Sequence, residues 1–118
     1  MKGAAHCGCA LSTLVAQAGT VKRIQKQDVQ AGDRLVILTA NSTYHVRMAE
    51  DGWCEVSGGW FDNKGVAPFR TRIAGCTWGS SVLMVDVVAA CGLCVEFGNR
   101  VVTSPVRMLI HLPGGSEN

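Results

Sequence analysis

Two close pairs of cysteines, Cys7 with Cys9 and Cys91 with Cys94, are the residues of this 118-residue chain whose types and spacing best suit chemistry. Four thiolates, with His6 beside the first pair, resemble the soft tetrahedral ligand set of zinc, so a zinc-binding protein is one reading. The spacing argues against it. Cys9 and Cys91 are too far apart for a compact finger, and Cys-x-Cys is a less usual zinc spacing than two cysteines separated by two to four residues. In one extended strand a separation of three sends Cys91 and Cys94 to opposite faces, unless Gly92 turns the chain. Thioredoxin-like exchange needs the first cysteine of its pair at a helix N-terminus, whereas Val95-Glu96-Phe97 continues as a strand. Cys54 and Cys76 fall in predicted strands and read as small buried residues. No metal site and no cofactor is therefore assigned.

Acid–base chemistry is the second possibility weighed. Glu55, Asp86 and Glu96 lie in predicted strands, and His45 and His111 fall on the polar phases of theirs. A small enzyme would need His45 to meet Glu55 or Asp86 in one concavity. By alternation Asp86 shares a face with Val82, Met84 and Val88, which leaves it either exposed or paired, since an unpaired buried carboxylate is costly. No local motif links a nucleophile, a base and an orienting group, so a non-enzymatic role is preferred.

The aromatics suggest binding instead. Trp53, Trp60 and Trp78, with Phe61, lie on or near three neighbouring strands, and an indole joins a large apolar body to one hydrogen-bond donor. They are read as the lining of a ligand cavity with His45, Arg47 and Glu55 at its rim. Core packing is the plainer alternative for each tryptophan. The six residues Trp53, Trp60, Trp78, His45, Arg47 and Glu55 are the candidate ligand-binding set.

Composition narrows the classes further. The chain is 47% hydrophobic and only 17% charged, against roughly 25% charged in an average soluble domain. So little charge over so much apolar surface points to burial between subunits, and a homo-oligomer is expected. The net charge of +2 argues against nucleic acid, which is normally met by a strongly basic stripe. Lys22, Arg23 and Lys26, and Arg70 with Arg72, read as solvated faces. The apolar stretch from Gly3 to Val21 is diluted by His6, Ser12, Thr13 and Gln17 and is no transmembrane helix. Lys2, Leu11 to Val15 and Ala16-Gln17-Ala18 mimic a secretory signal. The segment is present in the chain, which begins at Met1, and a cytoplasmic location is expected.

The elements that must position these residues are mostly strands. Arg34 to Thr39 is a continuous apolar run of the length of a buried strand. Asn41-Ser42 turns it into Thr43 to Met48, where Tyr44, Val46 and Met48 alternate with His45 and Arg47. Asp51-Gly52 then favours a tight hairpin between strands near 43–49 and 53–57. Gly58-Gly59 predicts a bulge or a close approach of two backbones, and Asp62 to Gly65 a loop. Extended segments follow over Arg70 to Trp78 and Val82 to Val88. Gly98-Asn99-Arg100 joins Leu93–Phe97 to Val101–Thr103 as a second hairpin, and after Pro105 a last strand alternates from Val106 to Leu112.

Leu11, Leu14, Val15 and Ala18 instead keep helical spacing, with Gly19 as a stop. The expected fold is all-β, a small antiparallel barrel or sandwich with a short N-terminal helix. It is read as a single domain: an arm over residues 1–30, a β domain over 31–112 and a disordered tail over 113–118. The function expected is that of a non-enzymatic, oligomeric β domain binding a small ligand or a protein partner.

Overall fold

A computed structural model of the chain describes residues 19–78 and 82–114. Nine strands account for most of them: β1 (Arg23–Gln25), β2 (Arg34–Thr39), β3 (Thr43–Met48), β4 (Trp53–Gly58), β5 (Phe69–Thr77), β6 (Leu83–Met84), β7 (Val87–Ala90), β8 (Cys94–Phe97) and β9 (Val106–Leu112). A single turn of α-helix, α1 (Gly59–Asn63), follows β4. The fold is thus all-β. The expected N-terminal helix over residues 10–18 lies outside the described residues.

One antiparallel sheet runs in the order β6-β5-β4-β3-β2-β9 and curls into a half-barrel, with β8 also paired to β5. The β1–β7 pair forms a small second sheet, so the extended part of the arm contributes a strand. The long β5 is shared: Phe69–Arg72 pair with β4, and beyond them the strand runs between β6 and β8. A bulge separates the two halves, and at Gly75 a Cβ would run into the Met84 carbonyl.

The alternation of β3 does what its sequence predicts. Tyr44, Val46 and Met48 point into the core, while His45 and Arg47 are exposed. Val46 is in register with Leu35 of β2 and Val56 of β4, and the inward rows meet Ile73, Val88, Val95, Phe97 and Leu109 in one core cluster. Asp51 and Gly52 make the β3–β4 turn with positive φ at both. At the β2–β3 turn the Thr39 hydroxyl accepts the Ser42 N–H at 3.0 Å and the Ser104 hydroxyl at 2.8 Å, tying it to the chain entering β9.

Gly58 and Gly59 mark a close approach, one of the two expected alternatives. A Cβ on Gly58 would collide with the Thr43 carbonyl, and one on Gly59 with the Tyr44 ring. This permits α1 where a loop was expected. Gly58 adopts φ 95, its N–H donates to the Asp62 carboxylate at 2.9 Å, and the Trp60 N–H donates to the Tyr44 hydroxyl at 3.3 Å. Phe61 is thereby buried edge-on against Tyr44 and Phe97. Full burial of such a ring contributes about 2–3 kcal/mol, enough to hold a helix too short to stand on propensity.

The Val82–Val88 segment is not one strand. Val85 and Asp86 form a turn between β6 and β7, and the Asp86 carbonyl accepts the Lys26 N–H at 2.9 Å. Asp86 is exposed at that turn and has no strand face to share. The second hairpin forms over the expected residues: β8 meets the returning chain through the Phe97 N–H to Val101 carbonyl bond, the Glu96–Val102 bridge and the Thr103 N–H to Val95 carbonyl bond.

Candidate functional site

A cavity of about 610 Å³ opens at the end of the half-barrel where the Lys26–Ala31 connection faces the Glu50–Gly52 turn. Its volume falls within the roughly 300–1,000 Å³ of small-molecule sites, and barrel mouths are a usual place for them. Met48, Ile73 and Val88, all core residues, form its floor with Val29. Four charges stand around it: Lys26, Glu50, Asp51 and Arg72.

Two of these charges are held in place. The Lys26 ammonium donates to the Ala74 carbonyl at 3.2 Å. The Arg72 guanidinium packs over the Trp53 ring, 4.4 Å from its centroid. Gly52 makes room for it, since a Cβ there would stand 3.0 Å from Arg72 Nη1. Glu50 and Asp51 are exposed on the opposite turn, Asp51 at φ 60 in the left-handed region. A cavity with an apolar floor and two cations at its rim, each already engaged by a protein group, suits a small amphipathic anion, because less ordering remains to be done at binding.

The expected binding set is split by the structure. His45, Arg47 and Glu55 come together in a shallower groove of about 290 Å³ on the outer face of the sheet, beside Arg34, Ser57 and Pro68. Register explains this: Arg34, Arg47, Glu55 and Arg70 are successive cross-strand partners from β2 to β5. The tryptophans join neither each other nor that groove. Trp53 begins β4, Trp60 lies beyond its other end in α1, and Trp78 follows β5 six residues past Arg72, roughly 20 Å further along. Trp60 is half-exposed under Lys64, and Trp78 is largely in solvent. Asp86 is apart from His45 and Glu55, lining a depression with Gln25, Lys26 and Gln27.

Among the cysteines, Cys54 and Cys76 are buried as expected. Burial pushes both thiols up to about 11, against smaller opposing effects of Arg70 at Cys54 and of the Ala90 backbone at Cys76. Gly92, at φ 91, does turn the chain between Cys91 and Cys94, yet the two differ in setting. Cys91 is exposed with Sγ 3.8 Å from the Arg107 carbonyl, whereas Cys94 is part-buried opposite Thr77 on β5. Among the described residues no three His, Cys, Asp or Glu side chains gather as metal ligands. Cys7, Cys9 and His6 lie outside the described residues.

A polar cluster that sequence reading missed closes the same end of the fold. Asp33 Oδ2 lies 2.8 Å from His111 Nε2 and accepts the Gln30 N–H at 3.0 Å, while Oδ1 accepts the Gly114 N–H at 2.8 Å. Burial would raise the Asp33 pKa, but the Gly114 N–H, His111 and the Gln30 N–H together hold it below its ordinary value. The signal available was Gly32-Asp33 before an apolar strand; His111 and Gly114 are too distant in sequence to infer as its partners.

Among the described residues no helix is long and apolar enough to cross a membrane. Comparison with protein-family models, curated proteins and solved structures returns no match. The class defined by fold and cavity is that of a curled all-β half-barrel with an apolar-floored mouth.

Proposed function

We propose that the protein is a non-enzymatic binding module that takes a small molecule with an apolar body and an anionic head into the mouth of its half-barrel. The observation that carries the reading is the Arg72 guanidinium, stacked over Trp53 at the rim of a cavity floored by Met48, Ile73 and Val88. The apolar body rests on that floor and the head meets Arg72 and Lys26. Glu50 and Asp51 discriminate against a second negative charge at the rim. A cytoplasmic location, in a compartment that keeps thiols reduced, belongs to the same reading.

Calorimetric titration with decanoate, decanol and decyltrimethylammonium tests this. Decanoate is expected to bind at least about tenfold more tightly than decanol, a difference of roughly 1.4 kcal/mol. Arg72→Gln should remove most of that advantage, and the double variant with Lys26→Gln should reduce decanoate to the affinity of decanol. Equal binding of all three probes, or none of decanoate, would refute the assignment.

A further inference from the structure

We propose that the β5–β6 hairpin is a self-association surface, through which two copies of this chain pair edge to edge. Its side chains are the most exposed large hydrophobics among the described residues: Trp78 at 76%, Val82 at 58%, Val85 at 54% and Leu83 at 41%. They fall within eight positions of the sequence, and no charged residue occurs between Arg72 and Asp86.

The backbone makes the same offer. β6 ends the strand order of the large sheet, with β5 its only neighbour among the described residues. Its far edge presents N–H and C=O groups to whatever lies beside it. Sheet edges are ordinarily guarded against such pairing by lysines, prolines, inward charges, bulges or short length; the stretch from Ile73 to Val85 carries no lysine, proline or charge, so its guard is confined to the two-residue length of β6 and the bulge in β5. Gly75 lets the Met84 carbonyl come close to β5, so the edge is held as a strand.

A second copy is the occupant that fits. The four side chains expose on the order of 400 Å², the size of the largest apolar patch on a typical monomer. Two such patches around a two-fold axis contribute about 800 Å², and with their polar rim reach the roughly 1,200 Å² at which stable interfaces begin. An antiparallel β6–β6 contact is self-complementary, as an isologous interface requires. A lipid surface would be met by a cluster of basic flanks, whereas here Arg72 and Asp86 flank the hairpin in sequence and the Lys26 ammonium beside it is engaged by the Ala74 carbonyl. The proposal is independent of the ligand assigned to the mouth.

Sedimentation equilibrium of the full chain tests it, with Trp78→Lys and Val85→Lys as hairpin variants and Val66→Lys as an exposed apolar control elsewhere. The wild type should dimerise, with the dimer dissociation constant raised at least about tenfold by either hairpin variant and unchanged by Val66→Lys. Thermal melts by circular dichroism confirm that each variant is folded, and if one fails to fold the other carries the test. A wild type monomeric up to about 1 mM would overturn the proposal, as would a dimer that survives both hairpin variants. So would a monomer that co-sediments with phosphatidylcholine vesicles through Trp78.

Discussion

Trp53 and Arg72 are cross-strand partners on β4 and β5, and the guanidinium lies 4.4 Å from the centroid of the indole. Arg70 approaches the same ring at 5.0 Å. The pairing links the outer face of the sheet to the cavity, because Arg72 also lines the mouth.

This contact should be measurable as a coupling. A cation over a partly exposed tryptophan is worth about 0.5–1 kcal/mol. A double-mutant cycle of Trp53→Leu and Arg72→Gln, followed by urea unfolding, is expected to return a coupling of that size. Trp53→Leu alone should also weaken decanoate binding while leaving Arg72 charged, since the cation loses its support. Additive single effects would show that the stacking positions nothing.

The hairpin around Asp51-Gly52 and the alternation of β3 were legible because both are local: side-chain period and turn chemistry act over a few residues. The mouth was not, because its lining comes from segments as far apart as Lys26 and Val88, brought together by the curl of the sheet. Local reading erred where it trusted composition. Val82 to Val88 is rich in β-branched residues, yet Val85-Asp86 turns between two strands of different sheets. The helix at Gly59–Asn63 is held by burial of Phe61 rather than by propensity. Adjacent strands do not bring the tryptophans together, because an extended chain carries neighbours in sequence far apart in space. Arg47 and Glu55 lie side by side because adjacent strands of a hairpin put them in register.

Acid should loosen the end of the fold that Asp33 closes. Its pKa is lowered from the ordinary 3.8 by hydrogen bonds that favour the carboxylate. The native state therefore binds this proton less readily than the unfolded chain. The stability it contributes is complete above about pH 4 and is lost as pH falls through the native value. Asp33→Asn should cost about 2 kcal/mol at pH 7, the scale of hydrogen bonds to a charged group. It should also flatten the fall in urea midpoint below pH 4. A variant whose midpoint follows the wild-type pH profile would show that another carboxylate governs acid unfolding.

The cysteines should divide by burial when alkylated. With their thiols pushed up to about 11, Cys54 and Cys76 present about one part in a thousand as thiolate at pH 8, and the thiolate is the reactive form. Cys54 is further engaged through Sγ, which donates to the Thr71 carbonyl at 3.3 Å. Iodoacetamide at pH 8 followed by peptide mass mapping should therefore modify the exposed Cys91 first and Cys94 more slowly. Cys54 and Cys76 should react only after denaturant is added. The same shifts predict an alkaline limit: a thiol with ordinary pKa 9.0 that is kept neutral by folding stabilises fully below pH 9, and that contribution fades as pH rises toward 11. Replacing both by Ala would remove this slope while creating small cavities that lower stability at neutral pH. Modification of native Cys76 at the rate of Cys91 would mean that β8 parts from β5 readily, contrary to the four-pair register that joins them.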